Sequence, residues 1–239
     1  MKSLILLCFA WLAWNPLAQT EVKKEAKGDF APVVVLELFT SQGCSSCPPA
    51  DALLSKLLKE NQHSKIIGMS FHVSYWNHLG WADPYSSDSY SNRQNWYHQT
   101  FSSGVYTPQV VVNGADEYVG SNKATSATKI KEALAKPATL AIDLSLSGNK
   151  LNYHLNGQYA NAVLNIVTVE DEASNYVKRG ENKGKQLTHS NVVLSLATQK
   201  VNGSSGEIQL SIPTSTSKVI VFAQNPKNGT VLGATQLTI

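Results

Sequence analysis

One junction constrains this chain more than any other. An apolar run, VVVLELF (Val33 to Phe39), passes through TSQG into Cys44-Ser-Ser-Cys47, and a helical pattern, ADALLSKLLKE (Ala50 to Glu60), follows almost at once. A β-branched, nearly continuous apolar run suits a strand buried on both faces, and Leu53, Leu54, Leu57 and Leu58 recur at helical spacing. A second run, KIIGMSFHV (Lys65 to Val73), reads as another strand. The strand, helix, strand order predicts an α/β unit with the cysteine pair at the turn where strand gives way to helix.

The start of the chain decides how many cysteines matter. MKSLILLCFAWLAWNPLAQ has one early Lys2, an apolar stretch from Leu4 to about Trp14 and small residues near Ala18, the pattern of a cleaved secretory signal over 1–19. Asn15 and Pro16 interrupt it well short of the ~20 apolar residues that span a bilayer, so no transmembrane anchor is expected after cleavage. Removing the signal takes Cys8 with it, leaves Cys44 and Cys47 as the only cysteines, and lowers the net charge from +3 to +2 because Lys2 is the one charge lost. Export to the periplasm or the outside places the pair beyond the reducing cytosol. No Lys/Arg cluster interleaved with aromatics appears, which sets nucleic acid aside as a partner.

Beyond a flexible leader (20–29), the text falls into two parts. In the first, Ser74 to Phe101 is a stretch rich in Trp, Tyr, His and Asp, read as an insertion with one helix capped by Ser87 or Asp88. VYTPQVVVNGADEYVGS then gives a hairpin of Gln109 to Val112 and Glu117 to Val119 across an Asn113-Gly114 turn, and NKATSATKIKEALAK closes the part as a helix. After Pro137 the chain turns to short alternating strands with Gly, Asn and Pro turns, which predicts a β-sandwich or small barrel over 138–239. SNYVKRGENKGKQLTHSN interrupts that half as a polar, basic loop. Its Arg179, Glu181 and Asn182 are candidates to dock the second half against the cysteine face.

A Cys-x-x-Cys entering a helix places the first thiol near the helix N-terminus, where free N–H groups and the dipole favour thiolate. Cys44 is then the attacking and more exposed sulfur, and Cys47 the one that resolves a mixed disulfide. Three other readings stay open at this point. The spacing also serves as half of a four-ligand zinc site, but the second pair is missing. Cys44 and Cys47 with His72 would suit copper or zinc in a binding or delivery module. An inert disulfide is the third, although so small a loop restrains little of the unfolded chain. A cis bond at Thr107-Pro108, beside Tyr106 and just before a strand, would bring that segment close to another loop. Trp76, Trp81, Tyr85, Trp96 and Tyr97, with His72, Asp83 and Arg93, supply either a groove beside Cys44 or packing between the insertion and the sheet.

Strand, Cys-x-x-Cys, helix and a later Thr107-Pro108 resemble the thioredoxin superfamily, and ELFTSQGCSSCPPAD, FHVSYWNHLGWADPYS, YTPQVVVNG and RGENKGKQL together look like a family of secreted proteins known mainly as a domain of unknown function. The resemblance spans about residues 30 to 239. It implies an α/β thioredoxin-like domain (30–137) followed by an all-β sandwich-like domain (138–239). It also implies thiol–disulfide oxidoreductase chemistry at Cys44 and Cys47, with Pro108 as a cis-proline after Thr107 and Glu37 as a buried acid moving a proton to or from Cys47. Trp76, Trp81, His72 and Tyr106 would line the substrate groove. No cofactor is expected; the partners would be exported proteins or small thiols with disulfides, and a redox partner that recycles the pair. The chain departs from that superfamily in Gly43, where an aromatic residue is usual, and in Pro48-Pro49, which cannot donate backbone hydrogen bonds to the first helical turn.

Overall fold

The computed structural model describes residues 30–61 and 65–239. The expected signal, the leader and Cys8 lie outside the described residues. In the first part, β1 (Val34–Thr40), α1 (Pro48–Glu60) and β2 (Ile66–His72) follow the order read from the sequence. Next come α2 (Asp88–Phe101), β3 (Gln109–Val112), β4 (Asp116–Val119) and α3 (Lys123–Leu134). Ser87 caps α2, its hydroxyl accepting from Ser89 N–H, and Asn122 caps α3 by accepting from Thr125 N–H. The remainder is β5 (Leu140–Ser147), β6 (Lys150–Gly157), β7 (Val163–Tyr176), β8 (Gln186–Lys200), β9 (Ser205–Gln209), β10 (Lys218–Gln224) and β11 (Val231–Thr238).

These strands correct the expected fold class of a thioredoxin-like α/β domain followed by a β-sandwich. A single eight-stranded mixed sheet, in the order β11-β10-β7-β8-β2-β1-β3-β4, takes four strands from before Pro137 and four from after it. The join is a parallel contact of β2 with β8, Ser70 opposite Val192. Among the described residues eleven strands stand against three α-helices, so the molecule is mostly β. A buried β2 with one open edge would leave unpaired N–H and C=O groups; β8 meets that edge at Ser70, and Asn191 Nδ2 donates to Gly68 O (2.8 Å). Only β5, β6 and β9 leave the large sheet, to form a small one of their own.

Alternation along each strand assigns the cores. Val34, Leu36 and Leu38 of β1 face α1 and α3, packing with Ala50, Leu54, Tyr118 and Ile130. Val35 and Phe39 face the other way, into a core under α2 with Phe71, Tyr90, Tyr97, Val167 and Phe222. Val219 and Val221 of β10 meet Leu140, Leu151 and Leu155 of the small sheet in a third core. The sheet thus carries α2 on one face, and the other two helices and the small sheet on the opposite face. At the turns, Gly114 (φ +57°) approaches Gly229 so closely that an added Cβ would fall 1.9 Å from the Gly229 carbonyl oxygen. The β3–β4 and β10–β11 turns dock there.

Glu37 interrupts the apolar face of β1 under α2. It is fully buried and ion-paired to Arg93, which donates from Nε to Oε2 and from Nη2 to Oε1 (2.9 Å). The Tyr97 hydroxyl donates to Glu37 Oε1 (2.5 Å), and Arg93 Nη2 also reaches Gln224 Oε1 of β10 (3.2 Å). Burial alone would lower the Arg93 pKa, but the Glu37 carboxylate outweighs it and raises the pKa above its ordinary value. The guanidinium also lies 5.2–5.8 Å from the ring centroids of Phe71, Tyr97 and Phe222. Arg93→Ala, which strands a buried carboxylate, is expected to cost ~3–5 kcal/mol, read as a lower urea midpoint at unchanged m. Arg93→Met combined with Glu37→Leu is expected to cost less than Arg93→Ala alone, because no charge is then left unpaired.

Candidate functional site

The cysteine loop hangs between the end of β1 and the start of α1. Cys44 N–H bonds Ser41 O (3.2 Å), Cys47 N–H bonds Cys44 O (3.3 Å), and the two sulfurs are joined as a disulfide. Cys47 is the N-cap of α1, with no side-chain cap, and Pro48 and Pro49 are its first two residues. They bring no N–H, and the next two amides, of Ala50 and Asp51, both bond Cys47 O (2.8 and 3.1 Å). The helix therefore turns no spare amide toward a sulfur, which corrects the expectation that free N–H groups would stabilise a thiolate there. Ser46 Oγ lies 3.3 Å from Cys44 Sγ. Cys44 was also expected to be the more exposed sulfur. Both cysteines are 0% exposed, whereas Ser45 and Ser46 between them are exposed.

The opposite wall is the Thr107-Pro108 segment, whose peptide bond is cis. Ser46 Oγ donates to Thr107 O (3.5 Å), and Trp76 Nε1 donates to Thr107 Oγ1 (2.8 Å). Trp76 also explains Gly43: a Cβ on that residue would come within 3.2 Å of the Trp76 Cβ. Trp81 reaches the loop too, its Nε1 donating to Gln42 Oε1 (3.1 Å). Both tryptophans frame the cysteine loop, half-buried. Tyr106 does not join them. Its hydroxyl donates to Glu117 of β4, and burial, followed by that carboxylate, raises its pKa above the ordinary phenol value.

The loop is covered from the second half of the chain by the tip joining β7 and β8. Asn182 Nδ2 donates to both Gln42 O (2.9 Å) and Cys44 O (2.8 Å), and Ser45 N–H donates to Glu181 Oε2 (3.0 Å). The Ser45 hydrogen bonds hold the Glu181 carboxyl below its ordinary pKa. Lys185 Nζ steadies Asn182 at its side-chain oxygen (3.0 Å), while Arg179 is exposed. Three backbone stations of the loop, at 42, 44 and 45, are thus held by two adjacent side chains.

Behind the loop lies a buried polar cluster. His72 Nδ1 is 2.7 Å from Asp83 Oδ2, and that carboxylate also accepts Gln42 N–H (2.8 Å). Burial pushes the Asp83 pKa up, but the His72 imidazole and the N–H groups of Gln42 and Tyr85 outweigh it and hold the carboxyl below its ordinary value. His189 from β8 stacks edge-on to His72, with ring centroids 4.5 Å apart. Its Nδ1 is 3.3 Å from Asp51 Oδ1, off the line of a hydrogen bond, so neither atom has one; His72 Nε2 is likewise buried without a partner. Thr40 Oγ1 donates to Asp51 Oδ2 (3.2 Å).

The cluster revises several assignments. Glu37, expected as the acid beneath Cys47, belongs to the α2 face with Arg93; the buried acid on the α1 side is Asp51, one helical turn after Cys47. Arg93 and Tyr97 are core residues of that ion-pair network rather than groove residues. His72 is a buried partner of Asp83 and lines no open groove. For the metal alternative, Cys44 and Cys47 offer no thiolates while bonded to each other. Among the described residues no group of three or more His, Cys, Asp or Glu is arranged to hold a metal ion. Sequence reading missed Gln42, Asp51 and His189. The one signal available was polarity inside an apolar pattern, His189 and Asn191 in QLTHSNVVLSL.

Residues 35–224 match the model of a family described as "Protein of unknown function (DUF1223)". Among solved structures, a structural-genomics crystal structure of an Agrobacterium tumefaciens protein is 26% identical, with a TM-score of 0.70 covering 87% of this chain and 95% of that one. HBP35 of Porphyromonas gingivalis is 17% identical, with a TM-score of 0.65 over 89% of this chain and 77% of its own, a likeness of fold alone. No curated protein matches the chain.

The cover generates a test of its own. Asn182→Ala, which removes two of the three hydrogen bonds described between the tip and the loop, is expected to raise the rate at which a phosphine reductant cleaves Cys44–Cys47 by roughly tenfold. The count of alkylatable thiols against time measures it, and an unchanged rate would mean that the tip does not limit access.

Proposed function

The chain belongs to the DUF1223 family, and from the chemistry of its own residues we propose that it is a thiol–disulfide oxidoreductase working at Cys44 and Cys47. One observation carries the reading: the only two cysteines among the described residues are bonded to each other across a three-residue step at a strand-to-helix junction. Closing so small a loop stabilises the folded chain little, so stapling is a poor account of the bond. Exchange chemistry is a better one. In the dithiol form the Cys44 thiolate attacks one sulfur of a substrate disulfide, and the other sulfur leaves as a thiolate. Cys47 then attacks Cys44 Sγ, the substrate's remaining sulfur leaves, and the Cys44–Cys47 bond is restored. Run backwards, the same two steps reduce the pair.

The half-buried Trp76 and Trp81 and the exposed Ser45 and Ser46 are the surface a substrate would meet first. Substrates are exported proteins or small thiols carrying disulfides, handled in the periplasm or outside the cell, as the hydrophobic N-terminal stretch suggests. The burial of both sulfurs means that exchange needs the covering tip to move first. The test is trapping. With a reduced protein and a model disulfide such as oxidised glutathione, Cys47→Ser is expected to accumulate a mixed disulfide on Cys44, and Cys44→Ser to lose turnover. A Cys44→Ser protein that exchanges as fast as the wild type would sink the reading.

A further inference from the structure

Gln42 sits two residues before Cys44, and its side-chain amide has a single orientation. Its Oε1 accepts from Trp81 Nε1 (3.1 Å), a group that can only donate, and from Asn175 Nδ2 (3.1 Å) of β7. Its Nε2 must therefore be the atom 3.3 Å from His189 Nε2. An amide nitrogen donates, so His189 Nε2 accepts and the ring proton sits on Nδ1, on the side of Asp51. This tautomer follows from the network around it.

The structure assigns His189 as an acid-sensitive catch on the disulfide loop: a proton added at Nε2 turns the acceptor that holds Gln42 into a donor and frees the loop burying Cys44 and Cys47. Two donors then face each other at a site that is 1% exposed, where neither finds water. Gln42 cannot answer by flipping its amide, because the flip would set its NH2 against the indole N–H of Trp81. The strain passes to a loop already held at Gln42 N–H by Asp83 and at Gln42 O by Asn182.

The groups facing His189 set the balance. From α1, Asp51 Oδ1 stands 3.3 Å from Nδ1 and lacks a hydrogen bond of its own. From β2, the His72 ring packs edge-on 4.5 Å away, with Asp83 on its far side. Tyr85, with its ring centroid 6.4 Å from that of His189, has a phenol pKa raised by burial and by Glu170 and Asp83, and stays neutral. An imidazolium here thus meets a carboxylate on the Nδ1 side and a donor on the loop side.

This inference concerns regulation of the exchange site and rests on that reading for its purpose, while its measurement does not need turnover. The rate of phosphine cleavage of Cys44–Cys47 is followed from pH 8 to pH 5, divided by that of a small linear disulfide in the same buffers. The wild-type ratio is expected to rise on the order of tenfold as pH falls from 8 to 5. His189→Gln is expected to flatten the profile. Gln42→Glu is expected to invert it, because a carboxylate keeps Trp81 and Asn175 as donors and binds the imidazolium more tightly than the neutral ring. A flat wild-type ratio overturns the inference, as does a Gln42→Glu profile that matches the wild type. Nitrogen-15 spectra of the wild-type ring supply a check that no misfolded variant can spoil: a proton on Nε2 at pH 8 would also overturn it. Loss of catalysed exchange with a surviving pH profile would strike the exchange reading alone.

Discussion

The buried pair of Glu37 and Arg93 is the constraint on which most of this structure depends. Taking a carboxylate and a guanidinium out of water costs several kcal/mol per ion, and only close, fully bonded geometry offsets it. Here Glu37 receives Arg93 and Tyr97, and Gln224 accepts from Arg93 and from Asn165 Nδ2. Those residues come from β1, α2, β10 and β7, so the network around the pair is complete only when the two halves of the chain meet. It also fixes α2. From the next residue of that helix, Gln94 Nε2 donates to Tyr106 O (2.7 Å) and Gln109 Oε1 (2.8 Å), which sets the Thr107-Pro108 segment opposite the disulfide.

The same interleaving builds the candidate site. The β7–β8 hairpin contributes Asn175 and His189 from the strand ends beside its tip and Glu181 and Asn182 at the tip itself, so one long hairpin both backs and covers the cysteine loop. Gln42 is the node between them. Its backbone N–H and carbonyl and both side-chain polar atoms are engaged, by Asp83, Asn182, Trp81, Asn175 and His189. A loop so fully bonded keeps its sulfurs away from solvent until something displaces the cover. Whatever chemistry the pair performs is therefore coupled to the second half of the chain, which the first half alone would not reproduce.

Much of the local structure was legible because its causes are local. The Leu spacing of α1, the Asn113-Gly114 turn between β3 and β4 and the Ser87 cap of α2 depend on residues within a few positions of one another. The cysteine pair and the cis Thr107-Pro108 bond were likewise visible as short motifs. Period-two alternation in β1 showed that Glu37 shares a face with Val35 and Phe39. It could not show whether that face looks toward α1 or α2, and the expected link from Glu37 to Cys47 failed on that point.

What the sequence determined by itself is the set of elements and the position of a disulfide-prone loop between a strand and a helix, since periodicity, caps and turn residues act over a few residues. Tertiary structure alone decided that β8 would pair with β2, that the two halves would share one sheet, and that His189 would reach Gln42 from 147 positions away. Open strand edges and unpaired buried groups carry no label naming the partner that will satisfy them. That choice is made when the whole chain closes around them and every buried donor competes for an acceptor.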